Sequence, residues 1–177
     1  MDRSSPVIGW LNDAYAMELS IVQVLQNHAR DAKNHPEMQA RIEQHLEETR
    51  RHADLVKGCI DRLGGSTSAV KSGMATVMGT VQGMSTALAR DDLVKNALHD
   101  YGTEYFEMAS YKALIAAAQD LGDQETVSVC QQILRDEEAM AAWLDQQLPG
   151  VVVETLHLLA TPAPGSEPAS ADISPPA

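Results

Sequence analysis

The stretch HLEETRRH, residues 45–52, puts two imidazoles and a carboxylate on a helix face that should be apolar. His45, Glu48 and His52 stand at i, i+3 and i+7, in line with Met38, Ile42, Leu55 and Cys59. Glu48 and His52, four residues apart, can converge on one ion. Glu47 falls on the opposite stripe with Glu43 and Asp54, the position of a solvated charge. The stretch therefore reads as one wall of a helical bundle with chemistry in its interior.

Three further glutamates repeat the pattern. Glu18, Glu107 and Glu137 each occupy a position where an ordinary bundle would place Leu or Ile. Glu18 and Glu48 are 30 residues apart, and so are Glu107 and Glu137. Two helical hairpins would thus each bring two carboxylates to one level. Buried anions at one height are too costly unless protons or cations neutralise them. A carboxylate from each helix together with a His is the arrangement of a di-metal carboxylate site. Glu104 precedes Glu107 by three residues and lies one turn, ~5 Å, along the same helix. Glu104 and Glu107 can therefore supply a terminal and a bridging carboxylate. Four residues after Glu137 stands Ala141, so the fourth helix has no counterpart of His52. Carboxylate-rich ligation with one imidazole suits Fe or Mn better than structural Zn. Tyr15, Tyr101 and Tyr105 lie near the same level, as core packing or as hydrogen-bond donors to ligands.

The elements around these positions are helical. A first helix is expected from about Pro6 to Ala32, after the Ser4-Ser5 start signal. Pro36 opens a second, with Asn34 or His35 as its cap, which runs to Leu63 and stops at Gly64-Gly65. Residues 66–90 are rich in Ser, Thr, Gly and Met and read as a crossover with a short helix of its own. A third helix runs from Asp91 or Asp92 to Leu121, ended by Gly122, and a fourth from Asp123 to Leu148, ended by Pro149-Gly150. Val151 to Ala160 forms one further short helix. Residues 1–160 make the bundle domain, and 161–177, with five prolines among Ala and Ser, a flexible tail.

Composition agrees. Hydrophobic residues are 44% but aromatics only 4%, a balance that suits helices better than sheets. The net charge is -12, which argues against nucleic acid and anionic lipid as partners. No run reaches the ~18 apolar residues that span a bilayer. The N-terminal residues carry no signal-peptide pattern, so a cytoplasmic protein is expected. Cys59 and Cys130 lie on apolar stripes and read as reduced core thiols.

The stretches LNDAYAME (11–18), HLEET (45–49) and EYFEMASY (104–111), with Leu121-Gly122 and Asp136-Glu137-Glu138, resemble the bacterial YciF-like branch of the ferritin-like superfamily. The resemblance covers about residues 7–148. It implies a ferritin-like four-helix bundle with a long crossover between helices 2 and 3, often dimeric and linked to bacterial stress response. Glu104-x-x-Glu107 also looks like the motif of rubrerythrins, which use both glutamates on a di-iron centre. The resemblance nominates Glu18, Glu48, His52, Glu104, Glu107 and Glu137 as metal ligands, for a di-iron or alternatively di-manganese centre. Glu18 and Glu104 would be terminal, Glu48 and either Glu137 or Glu107 would bridge, and His52 would complete one metal. Three departures from rubrerythrin bear on activity. Helix 2 has Glu-x-x-x-His rather than Glu-x-x-His, helix 4 lacks its His, and there is no Cys-x-x-Cys module to act as electron donor. Iron oxidation or peroxide consumption is the expected reaction class if there is one, with a homodimer and an unidentified redox partner. The alternative is a helical structural or interaction protein with a degenerate site.

Overall fold

The computed structural model describes residues 4–67 and 91–160. These form α1 (Ser4–Asp31), a short 3-10 turn (Ala32–Asn34), α2 (Pro36–Arg62), α3 (Asp92–Leu121) and α4 (Gln124–Ala160), with no strand among the described residues. Pro36 opens α2 at its first position, where a missing N–H costs nothing. His35 is the flanking residue but makes no side-chain cap. Two helices end on left-handed glycines, Gly64 (φ 76°) and Gly122 (φ 75°). After each, two amides turn back to the last carbonyls: Gly64 to Asp61 and Gly65 to Ile60, Gly122 to Gln119 and Asp123 to Ala118. Asp123 then caps α4 through the amide of Thr126, and its carboxylate also accepts from Arg62 at 2.7 Å.

α1 pairs with α2 and α3 with α4 as hairpins, while α1 also packs on α3 and α2 on α4. The side-chain pairs fix directions. Asp31 near the end of α1 meets Asn96 at the start of α3, and Arg62 at the end of α2 meets Asp123 at the start of α4. Both of these pairs are therefore antiparallel, and α2 and α3 run the same way. The end of α2 and the start of α3 therefore lie at opposite ends of the bundle, about 40 Å apart for helices of this length, which is the ferritin-like connectivity. The expected short helix within 66–90 and the expected tail 161–177 lie outside the described residues.

One boundary differs from expectation. α4 does not stop at Pro149-Gly150 but continues as one 37-residue helix to Ala160. Proline removes one backbone hydrogen bond and strains the preceding turn, which kinks a helix without necessarily ending it. Pro149 is on the exposed side, and Val151 and Thr155 beyond it are buried, so burial on the far side holds the helix together.

The core fills the bundle above and below its middle with Leu11, Leu25, Ile42, Val56, Ile60, Ile133, Met140 and Leu144. Cys59 and Cys130 are buried, unpaired thiols within it. Burial pushes both thiols up, Cys130 to about 12, so neither is a reactive thiolate at neutral pH.

Two glycine substitutions should act with opposite sign. At Gly122 an added Cβ meets no atom, but the left-handed backbone disfavours it. Gly122→Ala should lower stability by about 1 kcal/mol and Tm by a few degrees. Gly58 is exposed within α2 with a free Cβ direction, and Gly58→Ala should raise stability by about 0.5–1 kcal/mol. Paired thermal melts decide it, and equal signs would contradict the assigned turn.

Candidate metal centre

Six ionisable side chains meet in the middle of the bundle. α1 supplies Glu18, α2 His45 and His52, α3 Glu104 and Glu107, and α4 Glu137, each no more than 1% exposed. The inner stripe of α3 runs Ala97, Asp100, Glu104, Glu107, Tyr111, Leu114, Ala118. Glu107 is thus on the same stripe as Glu104, and carboxylates one turn apart face the same interior.

The six fall into two groups that share Glu137. In one, ligand atoms of His45, Glu104, Glu107 and Glu137 lie within 4.8 Å of one another; in the other, those of Glu18, His52 and Glu137 do. Nε2 of His45 is 3.1 Å from Glu104 Oε1 and 3.4 Å from Glu137 Oε2. Nδ1 of His52 is 2.9 Å from Glu137 Oε1 and 3.8 Å from Glu18 Oε2. Several of these close approaches lack hydrogen-bond alignment: both His atoms, both Glu137 oxygens and both Glu107 oxygens are buried without such a partner. Buried polar atoms almost always have partners. Atoms that crowd together yet do not point at each other are arranged for a third body between them.

The outward ring nitrogens are held. His45 Nδ1 bonds to Glu48 Oε2 at 3.1 Å, and His52 Nε2 to Asp136 Oδ2 at 3.0 Å. A ligating His ordinarily donates its other N–H to a carboxylate, which fixes the ring and the tautomer. Tyr111, fully buried, donates a short hydrogen bond to Glu18 Oε1.

Of the residues nominated from sequence, the structure brings together Glu18, His52, Glu104, Glu107 and Glu137. Glu48 is the correction: it lies outside both groups and is not placed to bridge. Its carboxylate is 16% exposed and is taken up by Arg41 at 3.2 Å, Gln44 at 2.8 Å and His45. Those three neighbours, at i-7, i-4 and i-3, draw it to the rim of the bundle. His45 takes the interior position instead; it was visible on the helix 2 stripe but was not nominated. Tyr105 is exposed and Tyr101 is half-buried against the core, and the Tyr101 hydroxyl bonds to Asp145 at 3.0 Å rather than to a ligand. Tyr111 holds that role. On α4, Met140 and Ala141 follow Glu137 into the core, and neither supplies an imidazole.

The electrostatics follow from crowding. Burial first, and the Glu137 charge second, push Glu18 up to about 8. Burial also raises Glu104, to about 7, against the opposing pull of His45. Glu107 is raised well above the carboxylate range by burial and by Glu137, Glu18 and Glu104. Burial disfavours the His45 cation, yet the carboxylate of Glu104 close against the ring and the hydrogen bond to Glu48 outweigh it and hold the ring at about 10. His52 is likewise raised, by Glu137 and Glu18 against burial. Glu48 moves the other way, to about 2, chiefly through its bond to His45. At neutral pH the interior therefore retains protons, which a cation of the right size can displace.

Residues 7–157 match the family described as a domain of unknown function, DUF892. Among solved structures, the chain is similar to a protein from Xanthomonas campestris pv. campestris, with 31% identity over 91% of this chain and 100% of that one, TM-score 0.77. The fold is shared with the bacterioferritin of Desulfovibrio desulfuricans, a protein with a diiron site (22% identity, 90% of this chain and 87% of that one, TM-score 0.73). It is shared too with the E. coli stress protein YciF (22% identity, 87% and 99%, TM-score 0.64). With four α-helices among the described residues, the second and third parallel, the chain has the ferritin-like fold and belongs to the DUF892 family.

Proposed function

We propose that this protein is a ferritin-like carboxylate protein whose buried centre holds two iron ions, with manganese the alternative occupant. One ion would take His45 Nε2, Glu104 and Glu107; the other would take Glu18 and His52 Nδ1; Glu137 would bridge them. The observation that carries this reading is Glu107, a carboxylate 1% exposed with neither oxygen in a hydrogen bond. Such a group is stable only when protonated or bound to a cation. Four carboxylates and two imidazoles form a donor set for Fe or Mn. The bacterioferritin with the same fold carries a diiron site, which supports the choice of iron.

Bound iron would supply one-electron chemistry, which makes oxidation of iron by dioxygen or peroxide the reaction class. The chain's own part is to orient and to balance charge. Glu48 and Asp136 keep the His45 and His52 lone pairs inward, Tyr111 holds Glu18, and Arg41 offsets Glu48. The likeness to YciF supports a role in bacterial stress. Among the described residues no helix is long and apolar enough to cross a membrane, in keeping with the cytoplasmic placement we propose. Exposed Tyr105 (53%) and Phe106 (63%) on the outer face of α3 are suited to a homodimer contact.

Metal content of protein purified from iron-supplemented cells tests the reading, with two ions per chain expected. Glu137→Ala should lose both, and His45→Ala and His52→Ala about one each. Glu48→Ala should weaken binding by ~10–100-fold without changing the stoichiometry, as loss of an outer partner does. Metal-free wild-type protein that takes up neither Fe(II) nor Mn(II) would instead support a helical interaction protein with a degenerate centre.

The pH dependence has a definite sign. Glu18, Glu104 and His45 have folded-state pKa values of about 8, 7 and 10, above their ordinary 4.5, 4.5 and 6.5. The folded apoprotein thus binds more protons than the unfolded chain, and its stability falls as pH rises from about 5 to 9. Saturating Mn(II), at ~1,000 times Kd, should add about 4 kcal/mol at neutral pH, on the order of 10 °C in Tm, and reverse that slope. An apoprotein Tm that climbs steadily over this range would contradict the buried, protonated cluster.

A further inference from the structure

A second constellation sits toward one end of the bundle, where the last turns of α1 meet the first turns of α3. Asp100 lies on the inner stripe of α3, one turn before Glu104, and is 3% exposed. Its Oδ1 bonds to His28 Nδ1 at 2.7 Å and is 3.5 Å from His99 Nδ1. The two imidazoles meet edge to face, with centroids 5.5 Å apart. A simple ion pair would need only one of them. Here a second imidazole converges on the same carboxylate, while Asp100 Oδ2 and His99 Nδ1 are buried with no hydrogen-bond partner. The ligand atoms of all three residues lie within 4.8 Å of one another.

We propose that His28, His99 and Asp100 form a mononuclear site for a divalent transition metal, separate from the buried pair. Two imidazoles and one carboxylate with a water are a donor set for Zn(II) and Co(II), not for Ca(II) or Mg(II), which take oxygen ligands. In a tetrahedral site with bonds of 2.0–2.2 Å, neighbouring ligand atoms stand about 3.4 Å apart. The observed 2.7 and 3.5 Å bracket that spacing. An entering ion replaces the proton shared by His28 and Asp100, and that proton leaves to solvent. The His28 and His99 side chains are 13% and 16% exposed, so the rings border solvent, from which a water would complete the coordination. The six residues of the central cluster are sealed by comparison. The ion would stand on the order of 6 Å along the axis from the level of Glu104.

The test is Zn(II) and Co(II) titration of the full chain by calorimetry and by Co(II) absorption, with metal content as a second readout. His99→Gln should remove one ion per chain, a loss exceeding the ~10–100-fold weakening that follows removal of an outer partner. Glu137→Ala, which disables the central pair, should keep that one ion, so the two proposals fail separately. Asp100→Asn should also lose it; should that variant not fold by circular dichroism, the half-buried His99→Gln still decides. An anomalous peak between His28 and Asp100 in Zn-soaked crystals would support the site. Zn(II) affinity and stoichiometry unchanged in His99→Gln, or no ion retained by Glu137→Ala, would overturn it.

Discussion

Like charge in a dry interior is the constraint on which this structure turns. Glu18, Glu104, Glu107 and Glu137 are packed between helices whose remaining inward residues are mostly Leu, Ile, Val, Ala and Met. No arrangement of four carboxylates at that depth is stable by itself, since each raises the cost of ionising the next. The surrounding carboxylates favour the positive form of His45 and His52, and protons on Glu18, Glu104 and Glu107 remove much of the remaining negative charge. The helices, their spacing and the placement of Tyr111 all serve a centre whose natural complement is cationic.

Outside that centre the fold is ordinary bundle physics. Apolar layers at both ends hold the helices together, and the left-handed glycines at 64 and 122 set where α2 and α3 stop. The outer carboxylates Glu48 and Asp136 are the link between the two regimes. Each lies partly in water, where its charge is cheap, and each orients an imidazole whose other nitrogen lies in the dry interior. The correction at Glu48 is thus a matter of depth rather than of chemistry.

Much of this was legible in the sequence. The four-helix core, its hairpin pairing and the long crossover between α2 and α3 follow from periodicity and glycine placement. Glu18, Glu104, Glu107, Glu137 and His52 could be found because each interrupts an apolar stripe. Glu48 misled because it sits one step from the centre of its stripe, where a residue can face in or reach for the rim, and Arg41 and Gln44 decide which. On α3 the contrast between faces is almost erased: Asp100, Glu104 and Glu107 point inward while Tyr105 and Phe106 are exposed. The half-buried Tyr101 and Met108 stand beside the buried Asp100 and Glu107, so periodicity alone gives no clear edge to this stripe. Tyr111 was on the stripe but gave no sign of its partner, because the Glu18 it meets is 93 residues away. Pro149 reads as a stop by local rules, and only the burial of Val151 and Thr155 beyond it reverses that.

The division of the ligand set between hairpins has a consequence for assembly. α1 and α2 hold Glu18, His45 and His52; α3 and α4 hold Glu104, Glu107 and Glu137. Neither hairpin contains either group complete. The contacts within each hairpin are local in the chain, so each can form early and without a cation. Docking one hairpin on the other is the step that creates the centre and brings the second half's carboxylates against those of the first. A cation bound there acts as a clasp between two separately formed halves. Its supply then governs how tightly the molecule closes along its length, and not whether its helices form.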